Sequence, residues 1–322
     1  MSGMNDRLDR LKLTAEIRHR ALQLGFHKIG IARAGPLDGE SQRLDEWLSR
    51  GYHATMDWMA AGRDKRIDLQ LVLPGARSLL AVAMNYYAPV EHSGEPSTGK
   101  ISRYAWGDDY HPILGRRLDE LLAFIRTRRP EAAGKVYVDT GPVMEKAWAQ
   151  RAGLGWIGKH TNLITEELGS WVFLGEIILD LELEYDDPGI DRCGSCTLCI
   201  EACPTQAIVE PYVVDSNLCI SYLTIEHRGP ISPALGEKFD RWIYGCDICQ
   251  DVCPWNIKFS KPAGNAEFYP REGNLAPDLS ELASLSPGEF TSRYRKSPIK
   301  RAKRDGLSRN AKIVMPSSPA IK

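Results

Sequence analysis

The chain has 322 residues, yet no cysteine stands before Cys193 or after Cys253. Thiols confined in this way do not suit a disulfide scaffold, which staples a small chain in an oxidising compartment. Long apolar runs are missing too: none approaches the roughly 20 residues needed to span a bilayer. The segment from Met1 to Arg20 is charged throughout and has no apolar core of a secretory signal. With reduced cysteines, that points to a cytoplasmic protein with no membrane partner. Net charge is almost absent, at −1, so the average is silent about partners. No repeat of about 20–50 residues is visible, which argues against solenoids and propellers. What is present is 43% hydrophobic and 26% charged, an ordinary globular composition in a chain long enough for two domains.

The eight cysteines read Cys193-x2-Cys196-x2-Cys199-x3-Cys203-Pro204, then a lone Cys219, then Cys246-x2-Cys249-x3-Cys253-Pro254. The first run has bacterial ferredoxin spacing, in which the fourth cysteine ligates the other cluster. Crossing the halves assigns Cys193, Cys196, Cys199 and Cys253 to one [4Fe–4S] cluster. Cys203, Cys219, Cys246 and Cys249 remain for a second, with Cys219 replacing the missing first cysteine of the second run. Structural zinc also uses C-x2-C pairs and four thiolates. It needs neither the triple repeat nor the Cys-Pro ends. The stretch reads as a two-cluster domain.

Before it, apolar spacing marks a helix through Leu13, Ile17, Ala21 and Leu24 that Gly25 can end. Lys28–Ala32 and Ser78–Met84 read as strands, and Leu114, Leu118, Leu121 and Ile125 as the apolar stripe of a helix stopped at Pro130. Lys135–Val138 is a strand; Pro142 suits the first turn of a helix that Gly153 closes. Strand-like runs follow at Thr161–Thr165 and Trp171–Leu183. The expectation is an α/β or α+β domain over 1–185, a cluster domain over 186–260 and a basic segment over 261–322. Within it, from 291 to 312, Arg293, Arg295, Lys296, Lys300, Arg301, Lys303, Arg304, Arg309 and Lys312 face one acid, Asp305. Such a run is either a solvated face or a polyphosphate-binding surface.

Three motifs need weighing. Gly153-Leu154-Gly155-Trp156-Ile157-Gly158 matches the dinucleotide fingerprint and, with Lys159, nearly a P-loop. Both require a strand before and a helix after, and here the order is reversed, so both are rejected. Asp109-x-His111 with Gly115 resembles the cobalt-ligand motif of some cobalamin enzymes, but its glycine is one residue too far. His111 is better read as capping the helix at Pro112. Asp139 lies where a strand ends and the Thr140-Gly141-Pro142 turn begins. In open α/β sheets ligands bind at that end of a strand, while an aspartate hydrogen-bonding turn amides is the plainer reading.

Taken together the chain resembles the epoxyqueuosine reductase family over nearly its whole length. The matching stretches are Val138–Pro142, Ala152–Lys159, Gly169-Ser170-Trp171, Cys193–Cys196, Ala202–Thr205, Cys219–Thr224 and Tyr244–Asp247, with Ser102–Gly107 and Asp109-Tyr110-His111 upstream. The resemblance implies a nitroreductase-like domain holding base-off cobalamin, with no protein histidine on cobalt, followed by the two-cluster ferredoxin-like domain. It implies reduction of the epoxide of epoxyqueuosine in the tRNA anticodon to queuosine, with Asp139 as proton donor. Cobalamin contacts fall on Arg66, Ser102, Asp139, Gly158, Asn162, Phe173 and Ser221. His160 departs from the family, which usually has asparagine there.

Electrons would pass from an external carrier of ferredoxin or flavodoxin type through the clusters to cobalt, and a raised pKa from burial would let Asp139 act as an acid. The basic 291–312 segment would grip the tRNA anticodon arm, and the protein is expected to be a monomer. Two other readings remain open at this point, a reductive dehalogenase-like enzyme on a small molecule and a ferredoxin-type electron-transfer protein.

Overall fold

The computed structural model describes residues 2–316. The chain folds into two compact units. The first gathers Met1–Gly51, Asp57–Asn85 and Tyr110–Cys196. The second gathers Tyr52–Met56, Tyr86–Asp109 and the chain from Thr197 onward.

The first unit is built on a four-stranded sheet. Its strands are β1 (Lys28–Arg33), β2 (Ser78–Asn85), β3 (Gly134–Tyr137) and, after a small hairpin of β4 (Trp156–Ile157) and β5 (Leu163–Ile164), β6 (Val172–Leu179). The order is β1-β2-β6-β3 and each pairing is antiparallel. All eight residues of β2 are buried, which follows from its central place and its nearly unbroken apolar sequence. Helices α1 (Ser2–Gln23), α2 (Tyr110–Arg128) and α3 (Glu145–Arg151) pack around the sheet. The stripe Leu114, Leu118, Leu121 and Ile125 is fully buried on α2. Each such side chain contributes roughly 1.5–3 kcal/mol. Trp148 of α3, fully buried, leads the core on the α3 side of the sheet.

Of the two expected fold classes the antiparallel sheet selects α+β. The rule placing ligands at the carboxyl ends of parallel strands therefore does not apply here. Three local boundaries also move. Helix α3 starts at Glu145, not at Pro142, because Thr140 N–H turns back to Val138 O at 2.6 Å and keeps the preceding residues in a turn. The strand expected over Thr161–Thr165 shrinks to Leu163–Ile164, since Thr161 has φ +66° in the loop closed by Gly158 N–H and Asn162 O. The last strand stops at Leu179 instead of Leu183.

In the second unit a short strand, Lys100–Ile101, pairs in parallel with Trp242–Tyr244. That pairing draws Tyr86–Asp109 away from its sequence neighbours, so the units do not follow the boundaries expected at 185 and 260. Its helices include α4 (Ile220–Ile225), α5 (Ile248–Asp251), α6 (Leu279–Ser284), α7 (Pro287–Arg293) and α8 (Lys303–Val314). A Ser286–Glu289 capping box starts α7. One core joins Trp106, Tyr244, Leu282, Phe290, Tyr294, Leu307 and Ala311. The basic segment is thus part of a folded unit. Asn310 Nδ2 donates to Thr224 O and Ile243 O at 2.8 and 2.9 Å, and Arg309 donates to the carbonyls of Leu223, His227 and Gly229.

Candidate active site

Asp139 follows β3 and holds a left-handed backbone, φ +56°, a conformation that aspartate tolerates better than most residues. Its carboxylate does not bond the turn amides. Oδ2 accepts a 2.7 Å hydrogen bond from Tyr110 Oη and lies 3.4 Å from His111 Nε2. Both partners come from the first turn of α2. Phe173 of β6 stacks on the Tyr110 ring, centroids 4.2 Å apart and planes within 4°, so the strand fixes the phenol that fixes the aspartate. More than half of the Asp139 side-chain surface stays open, at 57%.

The plainer reading of His111 as a helix cap gives way to this contact. Burial pushes the Asp139 carboxyl up, but hydrogen bonds from His111 and Tyr110, with the charges of His111 and Lys146, outweigh it. The group sits below its ordinary range. The expected raised pKa is found instead on its neighbours.

Glu145, at the start of α3, accepts a hydrogen bond from Asp139 N–H. Burial and then the Asp139 charge push its carboxyl up to about 8. Glu176 of β6, in register with Tyr137, is wholly buried, and neither of its carboxyl oxygens has a hydrogen-bond partner. Burial, Glu145 and Asp139 drive it well above the ordinary range. Neither acid was singled out from the sequence. Glu176 left a trace there as the one charge inside Val172–Leu179.

The first unit also holds four other residues expected to contact cobalamin. Arg66 is electrostatically coupled to Glu145 and Asp139, and Phe173 backs Tyr110. Gly158 and Asn162 close the β4–β5 hairpin, where Asn162 Oδ1 accepts from Lys146 Nζ at 3.0 Å. Two buried donors here, Arg66 Nε and His160 Nε2, lack a protein partner. His160 Nδ1 accepts from Asn162 N–H at 3.2 Å, and burial lowers its pKa to about 4, so the ring is neutral. Ser102 and Ser221 lie in the second unit. There Ser102 Oγ donates to Asp247 Oδ1 at 2.5 Å, and Ser221 sits on α4.

The glycine-lysine motif has a different use from phosphate binding. It follows α3 and runs into β4, the reverse of a nucleotide loop. A Cβ on Gly155 would stand 2.0 Å from Ile164 O, and one on Gly158 would stand 2.5 Å from Ile164 Cδ1. The glycines allow close packing of the hairpin. Lys159 Nζ donates to Gly194 O at 2.7 Å and Cys196 O at 2.8 Å, and so clamps the loop of the first two cysteines.

All eight cysteines are free thiols. Cys193 and Cys196 end the first unit, and the other six lie in the second. There Cys249 is pushed up by burial, then by Cys219, Asp247, Cys199 and Cys203. Cys246 is raised by burial and by Cys249, Asp247 and Cys219. Half-buried thiols crowded in this way suit a cationic iron–sulfur core, which would relieve the repulsion of their thiolates. Asp247, between them in sequence, is held by Ser102 Oγ and by Arg103 N–H at 2.8 Å, while Arg103 Nη1 reaches Asp251 at 2.7 Å. Among the described residues no helix is long and apolar enough to cross a membrane.

Comparison with known proteins agrees with these features. Residues 66–140 match the family model for epoxyqueuosine reductase QueG (DUF1730), and residues 192–256 match a 4Fe-4S double cluster binding domain, which sets the zinc reading aside. The epoxyqueuosine reductase of Synechocystis sp. is 51% identical over 286 residues, covering 88% of this chain and 98% of the relative. That of Gloeobacter violaceus is 50% identical over 311 residues, covering 94% and 96%. A crystal structure of an epoxyqueuosine reductase with an epoxyqueuosine-modified tRNA stem loop superposes with a TM-score of 0.87 at 32% identity, covering 94% of this chain and 80% of that one. The Streptococcus thermophilus enzyme gives 0.83 at 30% identity, covering 93% and 80%. The chain belongs to the epoxyqueuosine reductase family of oxidoreductases.

Proposed function

We propose that this protein reduces the epoxide of epoxyqueuosine in tRNA to the cyclopentene of queuosine, using cobalamin and two [4Fe–4S] clusters. The observation that carries the reading is Asp139, held by Tyr110 and His111 at an open edge of the first unit, on a chain with a double-cluster domain. Bound cobalamin in its cobalt(I) state would supply the strong nucleophile, and clusters held by four cysteines can have potentials low enough to feed it.

Arg66, Gly158, Asn162 and Phe173 in the first unit, with Ser102 and Ser221, would hold the corrin. The unpartnered Arg66 Nε and His160 Nε2 fit a ligand rich in amide oxygens, since buried donors demand acceptors. His111, already turned to Asp139, supports a form with no protein histidine on cobalt. Asp139 is the proton donor to the departing oxygen; its carboxyl, held below the ordinary range by His111 and Tyr110 despite burial, must take up a proton before that step. Cys193, Cys196, Cys199 and Cys253 bind one cluster, and Cys203, Cys219, Cys246 and Cys249 the other.

The exposed Arg295, Lys296, Lys300, Lys303 and Lys312 are the basic residues best placed to meet tRNA phosphates. The others are engaged within the protein: Arg293 with Glu281, Arg301 with Glu226, Arg304 with Asp305, and Arg309 with main-chain carbonyls. Electrons come from a ferredoxin- or flavodoxin-type carrier, and the protein acts as a cytoplasmic monomer.

Anaerobic purification, metal analysis and turnover on a modified stem loop test the whole reading. About eight irons, uptake of one cobalamin and loss of the epoxide are expected. Zinc in place of iron, or no uptake of the vitamin, would end it.

A further inference from the structure

The glycine-lysine motif lies against the chain that leads into the first cysteines. A Cβ on Gly153 would stand 2.7 Å from Asp187 O, and one on Gly189 would stand 1.8 Å from Gly155 O. Gln150 ties the two stretches together. Its carbonyl accepts from Gly189 N–H at 2.8 Å, and its Oε1 accepts from Ile157 N–H at 3.2 Å. Further along, Lys159 Nζ donates to Gly194 O and Cys196 O. All of these groups lie in the first unit. The motif is a track laid along residues 187–196, with a lysine at its end.

That lysine is only 9% exposed. A buried ammonium is unfavourable unless an anion faces it. Among the described residues, however, both partners of Nζ are neutral carbonyl oxygens and none is a carboxylate. Asp191 Oδ1 accepts from Cys193 N–H at 2.8 Å, but that residue is exposed, where solvent screens its charge. The two carbonyls hold the cation against the turn from Cys193 to Cys196. An iron–sulfur core with its four thiolates carries net negative charge and would supply the missing anion there. Donors converge on the same turn. Burial raises the Cys193 thiol, while the Lys159 main chain and the Trp156 side chain, each presenting a donor to it, act the other way.

Resting on the assignment of a [4Fe–4S] cluster to Cys193 and Cys196, we propose that Lys159 and Trp156 are positioning residues that set the reduction potential of that cluster. Lys159 is the counter-charge and Trp156 the donor to sulfur. Uptake of one electron from the external carrier adds one negative charge at this turn. A fixed cation and hydrogen bonds to sulfur both favour the more negative form, so both raise the potential.

Redox titration of the anaerobically purified full-length protein with both clusters in place, followed by electron paramagnetic resonance, tests this. Lys159→Gln removes the charge and keeps an amide donor. At a fixed applied potential it should shift one cluster toward its oxidised form on the order of tenfold, about 59 mV for one electron. The other cluster should not move. Trp156→Phe should shift the same cluster in the same direction by a smaller factor. Lys159→Arg, which retains the cation, should stay near the unmutated value.

An unmoved potential in Lys159→Gln at full iron content overturns the inference. So does an equal shift in Lys159→Arg, which would make shape and not charge the cause. If Lys159→Gln loses iron, Trp156→Phe decides: a lowered potential in one cluster upholds the inference and an unmoved one overturns it. Zinc in place of iron in the unmutated protein defeats the cluster assignment beneath it instead.

Discussion

Two groups of buried carboxyls in this protein are treated in opposite ways. In the second unit Asp247 has both oxygens bonded, by Ser102 Oγ and Arg103 N–H, and a guanidinium beside it. In the first unit Glu176 has neither oxygen bonded, and among the described residues Glu145 accepts only the backbone N–H of Asp139. A satisfied network holds a shape: here, the turn carrying Cys246 and Cys249. An unsatisfied one costs stability, and such a cost is usually found where chemistry requires it.

Substitutions can break this contrast from either side. Asp139→Asn should lower turnover by about 10²–10⁴-fold, the range for losing a positioned acid, while thermal unfolding and iron content stay as they were. Arg103→Ala should do the reverse. Stripping a buried partner from Asp247 should destabilise the protein by about 3–5 kcal/mol, read as a lower unfolding midpoint and loss of iron. Glu176→Leu should raise stability by about 1–3 kcal/mol by removing an unpaired buried polar group.

The pH sign of that last gain follows from linkage. A carboxyl raised on folding is protonated in both states below its ordinary value of 4.5, so there only the burial of the neutral acid counts and its protonation adds no further cost. As pH rises past that value, the unfolded chain releases the proton and the folded chain does not, and the cost grows. Denaturant titrations at pH 4 and pH 8 should therefore show the Leu variant gaining mainly at pH 8. An equal gain at both would mean that packing, not protonation, is the cause.

Much of this was legible from the chain alone. The cysteine spacing, the buried β2 and the α2 stripe could be read locally, because each depends on neighbours a few residues away; the role of Asp139 stood out only through the family resemblance, since its partners Tyr110 and His111 lie far off in sequence. The sheet order could not, since β6 inserts between β2 and β3 from far along the chain. Nor could the placing of Tyr86–Asp109, which depends on Lys100–Ile101 meeting Trp242–Tyr244. Glu145 and Glu176 were missed for the same reason: they lie 31 residues apart in sequence (176 − 145) and only the fold couples them. His111 was set aside because its value as a cobalt ligand was weighed, and not its reach to Asp139.

The left-handed backbone at Asp139 decides which variants can be interpreted. Alanine there would surrender a side chain suited to that conformation, so an inactive alanine protein would confound a misplaced loop with a missing acid. Asparagine shares the same backbone tolerance and nearly the same outline. Only the amide isolates the proton.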